Sequence, residues 1–322
     1  MSLLEVKGIS ALRNDGVELK DISFVIEEKG VYGFFCKDAD TLTFLCELLC
    51  GACEADEGEI SYRDADFYKS EKQTAKIKRK IGYVPESCFF SKDFTVEEAL
   101  DIIGRAKGVN PDKRARQIKE AAELTGLVRK GEALVETLTP SEKKRLCYAA
   151  SLIGNPDVII IDEPFGAADA ASKEMIKKLI GMLGNMKVVI VMAKNPSEVD
   201  ELCYYSAILD KRELLAFEPT EELLSRINKT VNALLRVREK GAPHIDLIDG
   251  LAATEGVLSV RTAGASAGIT DIRLECSARD GMTSRISALV ESFGAEVVSL
   301  RFASLGIADV MTLLCDRRAE EV

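Results

Sequence analysis

The first two thirds of the chain alternate short apolar runs of strand length with longer stretches in which apolar residues return every three or four positions. The runs at Leu3–Ile9, Ile22–Ile26, Val31–Phe35, Lys80–Val84, Asp157–Ile161, Lys187–Val191 and Ser206–Asp210 predict strands, and Leu42–Leu49 predicts the first helix. Between Phe94 and Ile153 the rhythm turns wholly helical: Thr95–Val96–Glu97–Glu98 reads as a capping box, and Asn110–Pro111–Asp112 opens the next helix. The pattern is that of an α/β layer domain carrying a helical insert at about residues 94–153.

Beyond Glu222 the rhythm restarts. Glu221–Lys229 predicts a bridging helix. There follow a strand (Val231–Val237), a helix (Ile245–Ala253), two strands (Val257–Thr262 and Asp271–Cys276), a helix (Met282–Phe293), a strand (Glu296–Phe302) and a last helix (Leu305–Cys315). This β-α-β-β-α-β order predicts an α+β ferredoxin-like domain, with Gly264–Ala265–Ser266–Ala267–Gly268 as the flexible loop between its middle strands. The domains expected are 1–222 and 223–322.

Composition narrows the function. With 47% hydrophobic residues the chain has ample material for a core, and 53 Asp+Glu against 43 Lys+Arg give a net charge of −10, which argues against a nucleic-acid partner held by phosphate neutralisation. No stretch reaches the roughly 20 apolar residues that span a bilayer, and the start lacks an apolar segment behind a basic one, so a cytoplasmic location is expected. Of nine cysteines only Cys46, Cys50 and Cys53 cluster, with Cys36 upstream; Cys50 and Cys53 alone have CxxC spacing, so they read as small buried hydrophobes rather than a four-ligand metal site. The single His244 forms no ligand cluster.

The strongest chemical signal is Val158–Ile159–Ile160–Ile161–Asp162–Glu163–Pro164, an apolar strand ending in two carboxylates. Ligands of open α/β sheets bind beyond the strand carboxyl ends. There Asp162 would hold magnesium through water, and Glu163 would orient or deprotonate an attacking water. The competing reading is an acidic turn that caps a strand.

The wider pattern adds Leu138–Thr139–Pro140–Ser141–Glu142, the basic start Lys143–Lys144–Arg145, Asn155–Pro156, Gly58–Glu59–Ile60, Ile81–Gly82–Tyr83–Val84–Pro85, Phe94–Thr95–Val96–Glu97–Glu98 and Glu198–Val199–Asp200–Glu201–Leu202–Cys203 before Ala207–Ile208–Leu209–Asp210. In this order, from Leu3 to Glu222, the chain resembles the ATP-binding-cassette family. The resemblance implies a P-loop-type cassette core that binds ATP and Mg, dimerises with a second cassette, and docks on a transmembrane permease from the inner face of the membrane. The closing segment Ser304–Leu314 is similar to the tail of bacterial exporter cassettes that carry a small C-terminal domain.

The positions that the resemblance makes functional are altered. A phosphate loop needs G-x-x-x-x-G-K-S/T, its glycines letting N–H groups close around phosphate and its lysine neutralising it. Here the segment is Cys36–Lys37–Asp38–Ala39–Asp40–Thr41–Leu42–Thr43. Cys36 and Thr41 stand for the glycines and Leu42 for the lysine, and only Thr43 keeps the magnesium-binding hydroxyl. A positive φ at Cys36 or Thr41 would be strained. The aromatic expected near Leu12–Arg13 to stack on adenine is missing. Glu86 replaces the glutamine after the Tyr-Val-Pro strand, Lys194 replaces the switch histidine, and the signature L-S-G-G-Q reads Leu138–Thr139–Pro140–Ser141–Glu142, while Asp162, Glu163 and Asp169 remain. The expectation is a degenerate exporter cassette with ATP and Mg binding weak or absent, paired with a different, intact cassette (a heterodimer before a homodimer). The alternatives are an active transport ATPase with an unusual loop and a soluble scaffold whose C-terminal domain senses a ligand.

Overall fold

A computed structural model describes residues 2–227, 231–238, 244–266, 268–277, 281–303 and 306–321. The chain divides into two compact units, one running to Thr220 and including the chain from Met311 onward, the other Glu221–Val310.

In the first unit an antiparallel sheet has the order β2-β1-β4-β5, from β1 (Leu4–Leu12), β2 (Glu18–Ile26), β4 (Glu57–Tyr62) and β5 (Ala65–Asp66). A six-stranded sheet has the order β10-β9-β3-β8-β7-β6, from β3 (Gly30–Phe35), β6 (Ile81–Val84), β7 (Val158–Asp162), β8 (Val188–Ala193), β9 (Tyr205–Asp210) and β10 (Glu213–Pro219). Strands β9, β3, β8, β7 and β6 are parallel, and β10 closes the edge antiparallel to β9. Every residue of β7 and β8 is buried, as expected for parallel strands covered on both faces. The strands missed by the apolar pattern are β4, β5 and β10. The first three residues of β4 are exposed, and β10 is half-buried at every position, so neither shows a clean alternation.

Helix α1 (Ala39–Cys50) packs its apolar residues Leu42, Leu45, Leu48 and Leu49 into the core shared by the two sheets. Helix α2 (Glu71–Lys78) follows β5. Gly58 is required where β4 meets β1, because a Cβ there would stand 2.5 Å from the carbonyl oxygens of Lys7 and Gly8 and its φ is +91°.

The expected helical insert is α3 (Val96–Ala106), α4 (Pro111–Leu124) and α5 (Pro140–Leu152), with a core of its own around Leu100, Leu127, Leu146 and Ile153. Thr95 caps α3 in the expected capping box with Glu98, and Asn110 caps α4 ahead of Pro111. Helix α6 (Ala170–Gly184) connects β7 to β8, and α7 (Thr220–Ile227) begins where this stretch of the first unit ends.

The second unit contains β11 (Val231–Arg238), α8 (His244–Ala252), β12 (Val257–Ser266), β13 (Ile269–Cys276), α9 (Met282–Ser292) and β14 (Glu296–Ala303), and α10 (Ile307–Glu321) follows. All strand pairs are antiparallel in the order β12-β13-β11-β14, the ferredoxin-like arrangement that the sequence order suggests. Leu235, Ile272, Leu274, Ile286 and Val290 centre its core. The expected five-residue loop 264–268 is shorter: β12 runs through Ser266 and β13 begins at Ile269, because strand pairing continues to Ser266↔Ile269. Ser304 and Leu305 of the exporter-like tail lie outside the described residues.

Candidate functional site

At the carboxyl end of β3 only Cys36, Lys37 and Asp38 separate the strand from helix α1. Helix α1 begins at Ala39, three residues before the expected start, so Ala39, Asp40 and Thr41 are already helical. The cause is Asp38, which caps the helix: its Oδ1 accepts the Asp40 N–H at 3.1 Å and its Oδ2 accepts the Thr41 hydroxyl at 3.1 Å. Thr41 also lies 2.7 Å from the Lys211 carbonyl, another acceptor for its hydroxyl. The anticipated strain at Cys36 and Thr41 is thereby avoided. Non-glycine residues with positive φ among the described residues are Asp21, Arg63, Asp64, Asn155, Glu163 and Lys211, none of them in this segment. Leu42, at the lysine position, is 1% exposed in the core, and Cys36 is buried with its thiol pushed up by desolvation. Lys37, Asp38 and Asp40 are exposed.

Arg13, where an aromatic is expected, is tied to the same helix. It pairs with Asp15 at 2.9 Å, Glu47 at 3.5 Å and Asp40 at 3.7 Å, and its guanidinium lies 5.5 Å from the Phe44 ring centre.

Thr43 and Asp162 come together: the threonine hydroxyl donates to Asp162 Oδ2 at 3.0 Å, and the Tyr83 hydroxyl stands 3.5 Å from the same oxygen. Burial raises the Asp162 pKa, against the lowering effect of Thr43. A hydroxyl beside a carboxylate suits one side of a magnesium shell. The other side would need a phosphate oxygen, and the helix end that would receive it already holds Asp38. Among the described residues no group of three or more His, Cys, Asp and Glu is placed to hold a metal ion.

Lys144 is the functional-region residue that sequence reasoning passed over as part of a basic run. It is 3% exposed and donates to the carbonyls of Pro85 (2.8 Å), Asp162 (3.1 Å) and Glu86 (3.3 Å), stitching β6, β7 and α5 together. Desolvation brings its pKa down to about 8. A signal was present: Lys144, Cys147, Tyr148 and Ser151 recur at i, i+3, i+4 and i+7, and all four are buried.

The comparisons with known proteins fit this geometry. Residues 19–166 match the family model for ABC transporters. The linearmycin resistance ATP-binding protein LnrL of Bacillus subtilis is 25% identical over 226 residues, covering 70% of this chain and 72% of that protein. The bacitracin transport ATP-binding protein BcrA of Bacillus licheniformis is 23% identical over 265 residues, covering 80% and 85%. The first unit is similar to the cassettes of ABC transporters. Among solved structures, cbiO1 of Clostridium perfringens, described as part of the ABC transporter complex cbiONQ, superposes with a TM-score of 0.59 at 20% identity over 70% of this chain and 94% of its own, which is a likeness of fold.

The remaining cassette positions are engaged within the protein. Thr139 caps α5 and Glu142 completes a capping box, with Glu142 N–H to Thr139 Oγ1 at 3.2 Å and Thr139 N–H to Glu142 Oε2 at 2.9 Å; Lys130 adds an ion pair to Glu142 at 3.1 Å. Pro140 occupies the first turn and Leu138 is buried. Ser141 donates to Asp169 Oδ2 at 2.6 Å, and Asp169 caps α6; the Ser141 bond leads in holding the Asp169 carboxyl below its usual range. Glu163 adopts φ +47°, its Oε1 accepts the Lys194 N–H at 2.9 Å, and the Lys194 ammonium stands 4.0 Å away. Glu86 projects an exposed side chain beside Phe89, which is 60% exposed and stacked on Phe90 at 4.3 Å. Cys46 is fully buried and Cys50 and Cys53 partly so, packed with the α1 core.

Proposed function

We propose that this chain is the nucleotide-binding-type subunit of a membrane exporter, a cassette that neither holds nor turns over ATP by itself and works beside an intact partner cassette. The observation that carries this reading is Asp38: the chain's own carboxylate sits at the N-terminus of α1, the place where a phosphate would accept N–H groups. The lysine that would neutralise phosphate is Leu42, turned into the core. Losing one partner of such a charge pair costs roughly 2–5 kcal/mol, about 30-fold to several thousand-fold in affinity. Lys194 in place of the switch histidine holds Glu163 by its backbone N–H, so the carboxylate that would act on water is also engaged.

ABC ATP-binding subunits act in pairs on transmembrane permeases, and no described helix here is long and apolar enough to cross a membrane. The chain would therefore sit peripherally at the inner face of the membrane, with the exposed Phe89 near Glu86 as a contact for the permease. Export is favoured because the relatives include a linearmycin resistance protein and a bacitracin transport protein. The heterodimer is favoured because two copies of this loop would leave no charged phosphate site.

The test is magnesium-ATP calorimetry on the native chain and on Cys36→Gly/Asp38→Ser/Thr41→Gly/Leu42→Lys. The expected result is no saturable heat in the native chain and micromolar binding in the restored one. Micromolar binding by the native chain, with hydrolysis lost in Glu163→Gln, would replace the proposal with an active ATPase.

A further inference from the structure

A cavity of about 450 Å³ opens at the opposite end of the six-stranded sheet, within the first unit. Lys29 precedes β3, Lys187 precedes β8, Asp157 precedes β7 and Lys80 precedes β6, and these four strands are neighbours in the order β3-β8-β7-β6, so the charged residues form a row along the amino ends. Arg63 from the β4–β5 turn and Lys76 from α2 complete the rim. Five cations thus face one carboxylate in a protein whose net charge is −10. Asp157 engages Arg63 at 3.3 Å and Lys80 at 4.0 Å, which leaves Lys29 and Lys76 without a carboxylate lining the same space. Beneath the rim the lining is apolar: Leu3, Tyr62, Val158 and Val188.

Two further observations show that the rim is held in place. Arg63 and Asp64 both take positive φ (49° and 60°), a turn geometry that glycine or asparagine adopts more cheaply and that fixes where Arg63 is presented. Lys187 is anchored by hydrogen bonds to Asn155 Oδ1 at 2.7 Å and the Pro156 carbonyl at 2.6 Å. Burial, with Lys80 and Lys29 nearby, lowers its pKa against the pull of Asp157, a like-charge crowding that an incoming anion would relieve.

We propose that this cavity is a binding site for a small amphiphile with an anionic head, its carboxylate or phosphate received by Arg63, Lys80 and Lys187 and its apolar body by the Leu3–Tyr62–Val188 floor. The volume lies within the range of about 300–1,000 Å³ typical of small-molecule sites. Such a head group occurs both on free amphiphiles and on membrane lipids; the enclosed floor accommodates the apolar part of a single molecule.

The experiment is calorimetric titration of the full chain with sodium octanoate below its micellar concentration, beside octanol, inorganic phosphate and phosphatidylglycerol vesicles. One saturable octanoate site is expected, with octanol and phosphate each at least about tenfold weaker, since each supplies half of the recognition. Arg63→Gln/Lys80→Gln should weaken octanoate at least about tenfold, the loss expected for two charge-assisted contacts. Ala65→Phe, which fills the cavity, should abolish binding. One variant removes charge at the rim and the other adds bulk, so their melting temperatures without ligand are measured to check the fold. No saturable octanoate binding, octanol binding equal to octanoate, or binding confined to the vesicles would each overturn the proposal. ATP binding is read separately, so its outcome leaves this test intact.

Discussion

At the carboxyl ends of the central strands stand Asp38, Asp40, Asp162 and Glu163, and each is occupied by or adjacent to a group of the chain itself. At the amino ends of the same strands stand Lys29, Lys80 and Lys187 around open space. The fold places its ligand crevice at the first of these ends. In this cassette that end is electrically satisfied from within, and the unspent positive charge lies at the other. A sheet fixes where crevices open, and the side chains at each strand end decide what the crevice attracts.

The comparison can be broken first at Leu42. Leu42→Lys alone places an ammonium in the core, where its side chain is 1% exposed, and should cost about 3–5 kcal/mol by denaturant unfolding, as for an unpaired buried charge. A loss below about 1 kcal/mol would mean that the side chain swings out to the phosphate side, and the two ends would be less different than argued.

The next largest effect belongs to Lys144. Its folded pKa of about 8 lies below the ordinary lysine value of 10.5, so the unfolded chain binds more protons between these limits. Stability from this group therefore rises with pH from about 8 to 10.5, by as much as about 3 kcal/mol. Lys107, buried beside the Ile153 carbonyl with a pKa of about 8, adds in the same direction, so the informative quantity is the difference between the native chain and Lys144→Met. The ΔG of the native chain minus that of Lys144→Met should increase as pH climbs from 7.5 to 10; parallel curves would show that Lys144 is solvated.

A smaller effect sharpens the role of Asp38. Asp38→Ala removes the cap of α1 and should lower stability by about 1 kcal/mol, read as a shift in denaturant midpoint at unchanged slope. Asp38→Asn keeps an acceptor and should recover most of it. If Asp38→Ala were neutral, the carboxylate would not be holding the helix end, and the closed appearance of that end would lose its main support.

Much of this architecture was legible beforehand. Strands β3, β7 and β8 announce themselves because burial on both faces leaves an unbroken apolar run, and the capping box at Thr95 marks a helix start. Strands β4 and β10 were illegible because exposure along them follows no period of two. The start of α1 was misjudged by following apolar residues alone, although Asp38–Ala39–Asp40 is a good cap and first turn. Among the site residues, Asp162 and Thr43, which the resemblance assigns to magnesium, lie within hydrogen-bond distance of each other, and Lys144 is lost in a basic run whose buried face only the helical period reveals. The cavity rim could not be read at all. Lys29, Arg63, Lys80 and Lys187 are scattered along the chain, and only strand order brings them together.

Asp38 has a thermodynamic consequence. A free ligand that binds only the native state stabilises it by an amount that grows with the logarithm of its concentration, whereas a tethered group contributes the same at every concentration. A helix end whose anion site is filled by the chain's own side chain is uncoupled from the nucleotide supply, so on the proposed reading the melting temperature should be flat from zero to millimolar ATP.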